Sequence, residues 1–233
     1  MPRNGVKKPS VGYTILMIPY GLTPKEYRQL RELDSPKKIQ DFVNALPQNF
    51  EPDGDTCLSP RLVLRERRAH CIEGAMLAAT ALMLRGQAPL LLDLEAAKHD
   101  FDHVVALFKK GKYWGAISKT NHAVLRYREP VYASVRELAL SYFHEYFDAK
   151  GRKTLRTYSR PFDLRRLGDA WITAEEDVWE VPEALCGAPH LPILSRSQLA
   201  GLRLADPVER GAGDITEWRR VGGRVLRRPS RWR

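Results

Sequence analysis

The chain has 233 residues, 43% of them hydrophobic, which is enough for one or two domains with a buried core. It contains no apolar run long enough to cross a membrane and no clear secretory signal, so we expect a cytoplasmic protein without a membrane segment. Its three cysteines, Cys57, Cys71 and Cys186, are too few and too widely spaced for a disulfide framework or a zinc motif. This favours a reducing compartment, in which a free thiol can serve chemistry.

The net charge of +10 is concentrated at the two ends of the chain. Residues 218–233 contain seven arginines and no acidic residue, and the first 25 residues contain four basic residues and no acidic one. Such ends can attract an anionic partner weakly and without specificity, or can simply remain solvated. No known nucleic-acid-binding motif accompanies them. We predict that residues 218–233 form a mobile basic tail.

Two short helices are predicted near the start of the chain. Thr23-Pro24-Lys25-Glu26 combines an N-cap residue, a proline at the first helical position and a glutamate three residues after the cap, and predicts a helix to about Leu33. Ser35-Pro36 begins a second helix, which Pro47 ends. Residues 47–60 have the composition of a loop.

The strongest helix signal runs from residue 68 to residue 84, where apolar residues recur every three or four positions until Gly86. Small residues occur on more than one of its faces, which is typical of a central, buried helix. The run Leu90-Leu91-Leu92 then indicates a buried strand. Residues 103–108 and 113–118 indicate two strands joined as a hairpin.

The second half of the chain has weaker signals. A helix is predicted from Ser134 to about Phe147, and little periodicity follows it. We predict an α+β fold in which the central helix packs on an antiparallel β-sheet. Residues 1–150 would form the core with an N-terminal arm, residues 151–217 an extension packed on that core, and residues 218–233 the basic tail.

Cys71 lies in the first turn of the predicted central helix. A helix N-terminus presents unpaired N–H groups and a partial positive charge, which lower the pKa of a thiol and can hold an oxyanion. The alternative is an unreactive, buried cysteine. We expect the neighbouring His70 to point elsewhere, and Glu73 to be solvated or to interact with the helix dipole.

His103 begins a predicted strand 32 residues after the thiol and could serve as its base. A hairpin turn centred after Lys110 would place Phe108 opposite Tyr113. The same register would place His103 opposite Ser118. Because opposed residues point to the same face of a sheet, we expect Ser118 to orient the imidazole.

Three pieces of the sequence combine into a longer pattern: residues 70–75 (HCIEGA), 102–105 (DHVV) and 114–120 (WGAISKT). A cysteine that opens a central helix, then a histidine on one strand and Trp-x-x-x-Asp-x-Thr on the next, resembles the transglutaminase-like superfamily, including its bacterial members. Papain-like proteases and peptide deglycosylases are related to it. The resemblance covers about residues 35–125 and implies a papain/transglutaminase-like core.

The resemblance implies that Cys71 is the nucleophile and His103 its base, with no cofactor. The acid of the family falls on Ser118, which can accept a hydrogen bond from the ring but brings no charge. We favour Ser118 as the residue that orients His103, and Asn121, beyond the end of the strand, as the second choice. Asp100 and Asp102 are further candidates; Asp102 is adjacent to His103 on the strand, so it should face the other way.

The same part of the sequence also suggests an oxyanion donor and a metal site as hypotheses. By analogy with papain-like enzymes, Gln48 or Asn49 could supply a second donor to an oxyanion, although either amide could instead cap a local turn. His99 and His103, four residues apart, could bind a metal on a helix. Because His103 begins a strand and no third ligand has motif spacing, we predict no metal.

These residues favour a cysteine hydrolase that cleaves an amide or peptide bond through a thioester, with transfer to an amine as a variant of the same chemistry. Its partner would be a peptide or protein substrate. The alternative is a catalytically degenerate relative that acts as a binding or scaffold protein, which the missing acid supports. A third hypothesis is a nucleic-acid-associated protein that binds through its basic ends.

Overall fold

The computed structural model describes residues 17–52 and 54–216, together with the backbone of residues 219–221 and 224–226. The predicted N-terminal arm up to residue 16 lies outside the described residues. So does most of the predicted mobile tail, whose mobility therefore stays a prediction.

Three short helices open the described chain: α1 (Pro24–Glu32), α2 (Pro36–Ala45) and α3 (Pro60–Glu66). The capping box predicted for α1 is confirmed, since the Thr23 N–H donates to the Glu26 carboxylate at 2.7 Å and the Glu26 N–H donates to Thr23 Oγ1 at 3.2 Å. Helix α3 was not predicted from the sequence. Its start carries the same signal as α2, a serine cap followed by proline.

The central helix α4 spans Cys71–Met83, three residues shorter at its start than predicted. The reason lies in the residues before it. Arg67 adopts the left-handed conformation with φ 59°, and Ala69 pairs with Gln48 as an isolated parallel bridge. Both hold the chain in non-helical conformations, so the helix begins at the cysteine itself. From Ile72 to Leu82 it is buried all round.

Seven strands form one sheet, in the order β4-β3-β2-β1-β5-β7 with β6 also paired to β1, and each pairing is antiparallel. The predicted α+β class with an antiparallel sheet is thus confirmed. The strands are β1 (Leu90–Ala96), β2 (His103–Lys110), β3 (Tyr113–Ser118), β4 (Arg128–Tyr132), β5 (Leu155–Ser159), β6 (Phe162–Asp163) and β7 (His190–Pro192).

Both faces of the sheet are covered, which explains why β2 has a continuous apolar run from residue 104 to residue 108. On β2, Val104 and Ala106 belong to the core shared with α4, whereas Val105 and Leu107 belong to a second core on the other face. Helix α5 (Val135–Phe143) covers that second face. The fold is therefore a three-layer arrangement, with α4 lying centrally on one side of the sheet.

The chain after residue 150 is part of this same sheet. Strand β5 lies between β1 and β7. Residues on both sides of the predicted boundary at residue 150 therefore belong to one sheet. Four short helices and a terminal hairpin complete the described chain: α6 (Ala170–Thr173), α7 (Glu180–Cys186), α8 (Arg196–Ala200), α9 (Pro207–Gly213), β8 (Arg219–Val221) and β9 (Arg224–Leu226). Across the described residues, none of the helices has the length and apolar character that a membrane span requires.

Candidate active site

The β2–β3 hairpin has a register two residues away from the predicted one. Tyr113 lies opposite Lys110 and not Phe108, because Gly111 takes a positive φ of 60° and allows a two-residue turn. A shift of two residues leaves every side chain on its original face. His103 and Ser118 are therefore diagonal neighbours instead of a direct pair, and His103 Nε2 lies 2.8 Å from Ser118 Oγ.

The hydrogen bonds of Ser118 determine which ring nitrogen of His103 carries a proton. Ser118 Oγ donates to the carbonyl oxygen of Leu125 at 2.5 Å. The hydroxyl has a single proton, so it must accept from His103 Nε2–H. This leaves Nδ1 of His103 for the thiol. The Gln40 side chain in α2 clamps the end of the strand by bonding both backbone groups of Ser118, at 2.9 and 2.8 Å.

Cys71 is the first residue of α4, and its partly buried thiol interacts with two imidazoles, those of His103 and His70. Burial alone would raise the pKa of this thiol. The hydrogen bonds and charges of the two histidines outweigh burial and hold the pKa of Cys71 well below its usual range. The sulfur is thus in a setting that favours thiolate, the form that acts as a nucleophile.

The sequence suggested that His70 points away from the thiol, but its ring interacts with Cys71. Its Nε2 lies 3.0 Å from the carbonyl oxygen of Thr56, 3.3 Å from the Glu73 carboxylate and 3.5 Å from that of Glu51. Burial would lower the pKa of His70, but bonding to Cys71 and Glu73 overcomes burial and raises it to about 11. These contacts favour the protonated form of the His70 ring.

Glu73 is neither solvated nor a simple helix-dipole partner, since its side chain is completely buried. Its carboxylate accepts hydrogen bonds from the backbone N–H of His70 at 2.8 Å and of Leu58 at 2.9 Å. It also accepts from Thr56 Oγ1 at 2.9 Å and from Asn49 Nδ2 at 3.1 Å. Burial would raise the pKa of Glu73, but the hydrogen bond and the charge of the His70 ring, and then the backbone N–H groups of Leu58 and His70, lower it, which favours the ionised form.

The two proposed oxyanion donors differ in their surroundings. Asn49 Nδ2 is occupied by Glu73 and Thr56, so Asn49 anchors the loop and has no N–H left for a substrate. Gln48 pairs with Ala69, two residues before the thiol, and its buried Oε1 has no hydrogen-bond partner among the described residues. Gln48 Nε2 makes one long bond, of 3.4 Å, to the carbonyl of residue 49. Gln48 is thus the better candidate.

The other residues considered as orienting groups for His103 are engaged elsewhere or lie apart. Asp102 accepts from the Ala96 N–H at 2.7 Å, and Asp100 bonds the hydroxyl of Thr154. Asn121 lies past the end of β3, and among the described contacts no hydrogen bond joins it to His103. The structure thus brings Cys71, His103 and Ser118 together without Asn121.

Asp93 on β1 is a part of this region that the sequence did not reveal, because one acid in a leucine run gives no motif. It is 4% exposed; its Oδ2 lies 3.2 Å from His190 Nε2, and its Oδ1 has no partner. Burial, and then the charge of Asp102, raise the pKa of Asp93 to about 6. Within the range that the structure describes, no three acidic, histidine or cysteine side chains are arranged to hold a metal ion.

No model of a known protein family matches this sequence, and no curated protein is significantly similar to it. What the site can do is therefore inferred from its own geometry. A thiol at a helix N-terminus, bracketed by two imidazoles, can form a nucleophilic thiolate at neutral pH.

Proposed function

We propose that this chain is a cysteine-nucleophile enzyme with a papain/transglutaminase-like core, which cleaves an amide or peptide bond through a thioester. The observation that carries the proposal is the series Cys71, His103 and Ser118: the thiol at the start of a buried helix interacts with His103, and His103 Nε2 lies 2.8 Å from Ser118 Oγ. In this series the nucleophile, the base and the group that orients the base are in contact, which is the arrangement such chemistry requires.

In the proposed reaction, the thiol of Cys71 gives its proton to Nδ1 of His103, and the resulting thiolate attacks the carbonyl carbon of the substrate. The oxyanion forms near the N-terminus of α4, where the first backbone N–H groups have no helical partner. His103 gives its Nδ1 proton to the leaving amine, and the thioester remains. His103 then takes a proton from water, or from an acceptor amine, as it attacks the thioester carbon. The C–S bond breaks, the acid or the new amide leaves, and Cys71 is again a thiolate beside protonated His103.

A catalytically degenerate binding protein is the second candidate, and the observation that favours it is the neutral Ser118 where the family pattern has an acid. A hydroxyl orients the ring of His103 but does not stabilise its charged form as a carboxylate would. A weak, non-specific anionic partner at the basic C-terminus is compatible with either candidate. Such binding should weaken steeply as salt rises.

Iodoacetamide labelling between pH 4 and 10, with each cysteine quantified by mass spectrometry, tests the proposal. Cys71 should label well below pH 7. Cys186 provides an internal control. Its side chain is exposed, and its pKa is raised, first by partial burial of the sulfur and then by acidic neighbours. Equal profiles for the two thiols would contradict a reactive site.

Turnover is tested with a library of peptides and small amides. Cys71→Ala should abolish cleavage while the midpoint of thermal unfolding stays near that of the parent. Cys186→Ala is the matched control and should leave cleavage unchanged. A rate that survives Cys71→Ala would refute the assigned nucleophile, whereas labelling at low pH without any turnover would favour the binding protein.

A further inference from the structure

The two imidazoles that contact the Cys71 sulfur are held in opposite ways on their far sides. Nε2 of His103 faces a neutral hydroxyl, that of Ser118. Nε2 of His70 faces a carbonyl oxygen and two carboxylates, of which Glu73 at 3.3 Å is completely buried. The two rings therefore differ in how well they can carry a positive charge.

Coulomb energy makes this difference large in a buried setting. A full negative charge between 3 and 4 Å from an imidazolium stabilises it much more strongly where solvent screening is weak than it does in water. A hydroxyl dipole contributes far less. Glu73 cannot relax away, because the chain around it fixes both of its oxygens through four donors.

We propose that His70 is a second functional histidine, a resident cation that keeps Cys71 as thiolate, and that Glu73 is the positioning residue that holds His70 in this role. The inference rests on the proposed function and deepens it. It accounts for the neutral Ser118, because the charge that a conventional triad draws from its acid is supplied here through His70. Consistent with this, the pKa of His70 is raised far above its ordinary value.

This assignment separates two tasks during the reaction. His70 stays protonated throughout, and it stabilises the thiolate before attack and again when the thiolate leaves the thioester. His103 alone exchanges protons with the leaving amine and with water. No proton is gained or lost by His70, so charge and proton balance are those of an ordinary cysteine hydrolase.

The pH profile of Cys71 is the most direct test, because a merely structural role would not move it. The titratable groups coupled to the sulfur or to His70 are His103, Asp93, Asp102, Cys57, Tyr146, Glu73 and Glu51. Iodoacetamide labelling is measured in the parent, His70→Gln and Ser118→Ala. His70→Gln should raise the labelling midpoint by at least one pH unit toward the free value of about 8.5.

His70→Lys restores a cation and should recover part of that shift, whereas Ser118→Ala should move the midpoint less than His70→Gln. A low midpoint that His70→Gln leaves unchanged would overturn the role of His70 while the proposed function stands. A parent midpoint that is already ordinary would overturn both.

A measurement on the unmutated protein avoids variants that fail to fold. With ¹⁵N-labelled histidine, both ring nitrogens of His70 should keep imidazolium shifts from pH 5 to pH 9. A His70 ring that titrates near its ordinary value of about 6.5 would refute the inference.

Discussion

Gly74, in the first turns of α4, lies directly against the end of β3. A Cβ atom added at this position would meet Lys119 Cβ at 2.5 Å and Val43 Cγ1 at 3.5 Å. The first contact is with an atom attached to the backbone, so no side-chain rotation relieves it. Gly74→Ala must therefore push the start of α4 away from the strand by about 1 Å to reach an ordinary contact distance.

Overpacking of this kind costs about 1–3 kcal/mol, and this rigid contact belongs in the upper part of that range. Replacing glycine by alanine within a helix stabilises the helix by up to about 1 kcal/mol. We expect a net loss of about 1–2 kcal/mol, which lowers the unfolding midpoint by roughly 2–8 °C in a chain of this size.

The same movement should affect the thiol, because Lys119 follows Ser118 directly and Gly74 is three residues from Cys71. A misplacement of about 1 Å can cost on the order of 100-fold in rate. Calorimetry gives the midpoint, and alkylation near neutral pH gives the thiolate fraction, which should fall.

Gly211 in α9 is the matched control for this substitution, since a Cβ added there has no neighbour within 4 Å in the part of the chain that the structure describes. Gly211→Ala should be neutral or slightly stabilising and should leave the thiol unchanged. The reasoning fails if Gly74→Ala is as stable as the parent and its Cys71 labels identically.

Three further results are expected. Burial raises the pKa of Asp93 from 3.8 to about 6, so the native state binds this proton more tightly than the unfolded chain does. The free energy of unfolding should therefore fall as the pH rises from about 4 to about 6. In urea unfolding, Asp93→Asn should remove this pH dependence and should be more stable than the parent at pH 7. An unchanged slope would contradict this. Truncation after residue 150 should give no cooperative unfolding transition, because it removes the strand beside β1; a folded fragment would contradict the sheet order. Arg61 Nε lies 2.8 Å from Oε1 of the largely buried Glu26, so Arg61→Met should lower the free energy of unfolding by roughly 1–3 kcal/mol. Arg65 pairs with Glu175 at the surface, so Arg65→Met should lower it by less than about 0.5 kcal/mol. Equal losses in the two variants would refute this reasoning.

Local chemistry was predictable from the sequence wherever neighbours along the chain decide it. The capping box of Thr23 and Glu26 and the start of α2 depend only on adjacent residues, and the structure contains both. The hairpin shows the limit of such reasoning. Its strands were correct but its turn was not, because Gly111 permits a tighter loop than the one assumed.

Other features depend on parts of the chain that are distant in sequence. The position of His70 is set by Thr56 and Glu51, and a helix N-terminus alone does not indicate which way its preceding residue turns. Strand β5 was missed because its exposure pattern is irregular, with Leu155 buried, the next two residues partly exposed and Tyr158 buried. Its place beside β1 is decided by pairing across about 60 residues.

The loop that cradles Glu73 is itself tied to the last third of the chain. The Cys57 N–H donates to Asp177 Oδ1 at 2.8 Å, and the Val178 N–H donates to the carbonyl of Cys57 at 2.9 Å. Ribosomal synthesis delivers residues 177–178 more than 100 residues after the thiol. Until those residues are made, the loop that holds Glu73 lacks both of these hydrogen bonds. The surroundings of Cys71 and His70 therefore reach their final form only after residues 177–178 have been made.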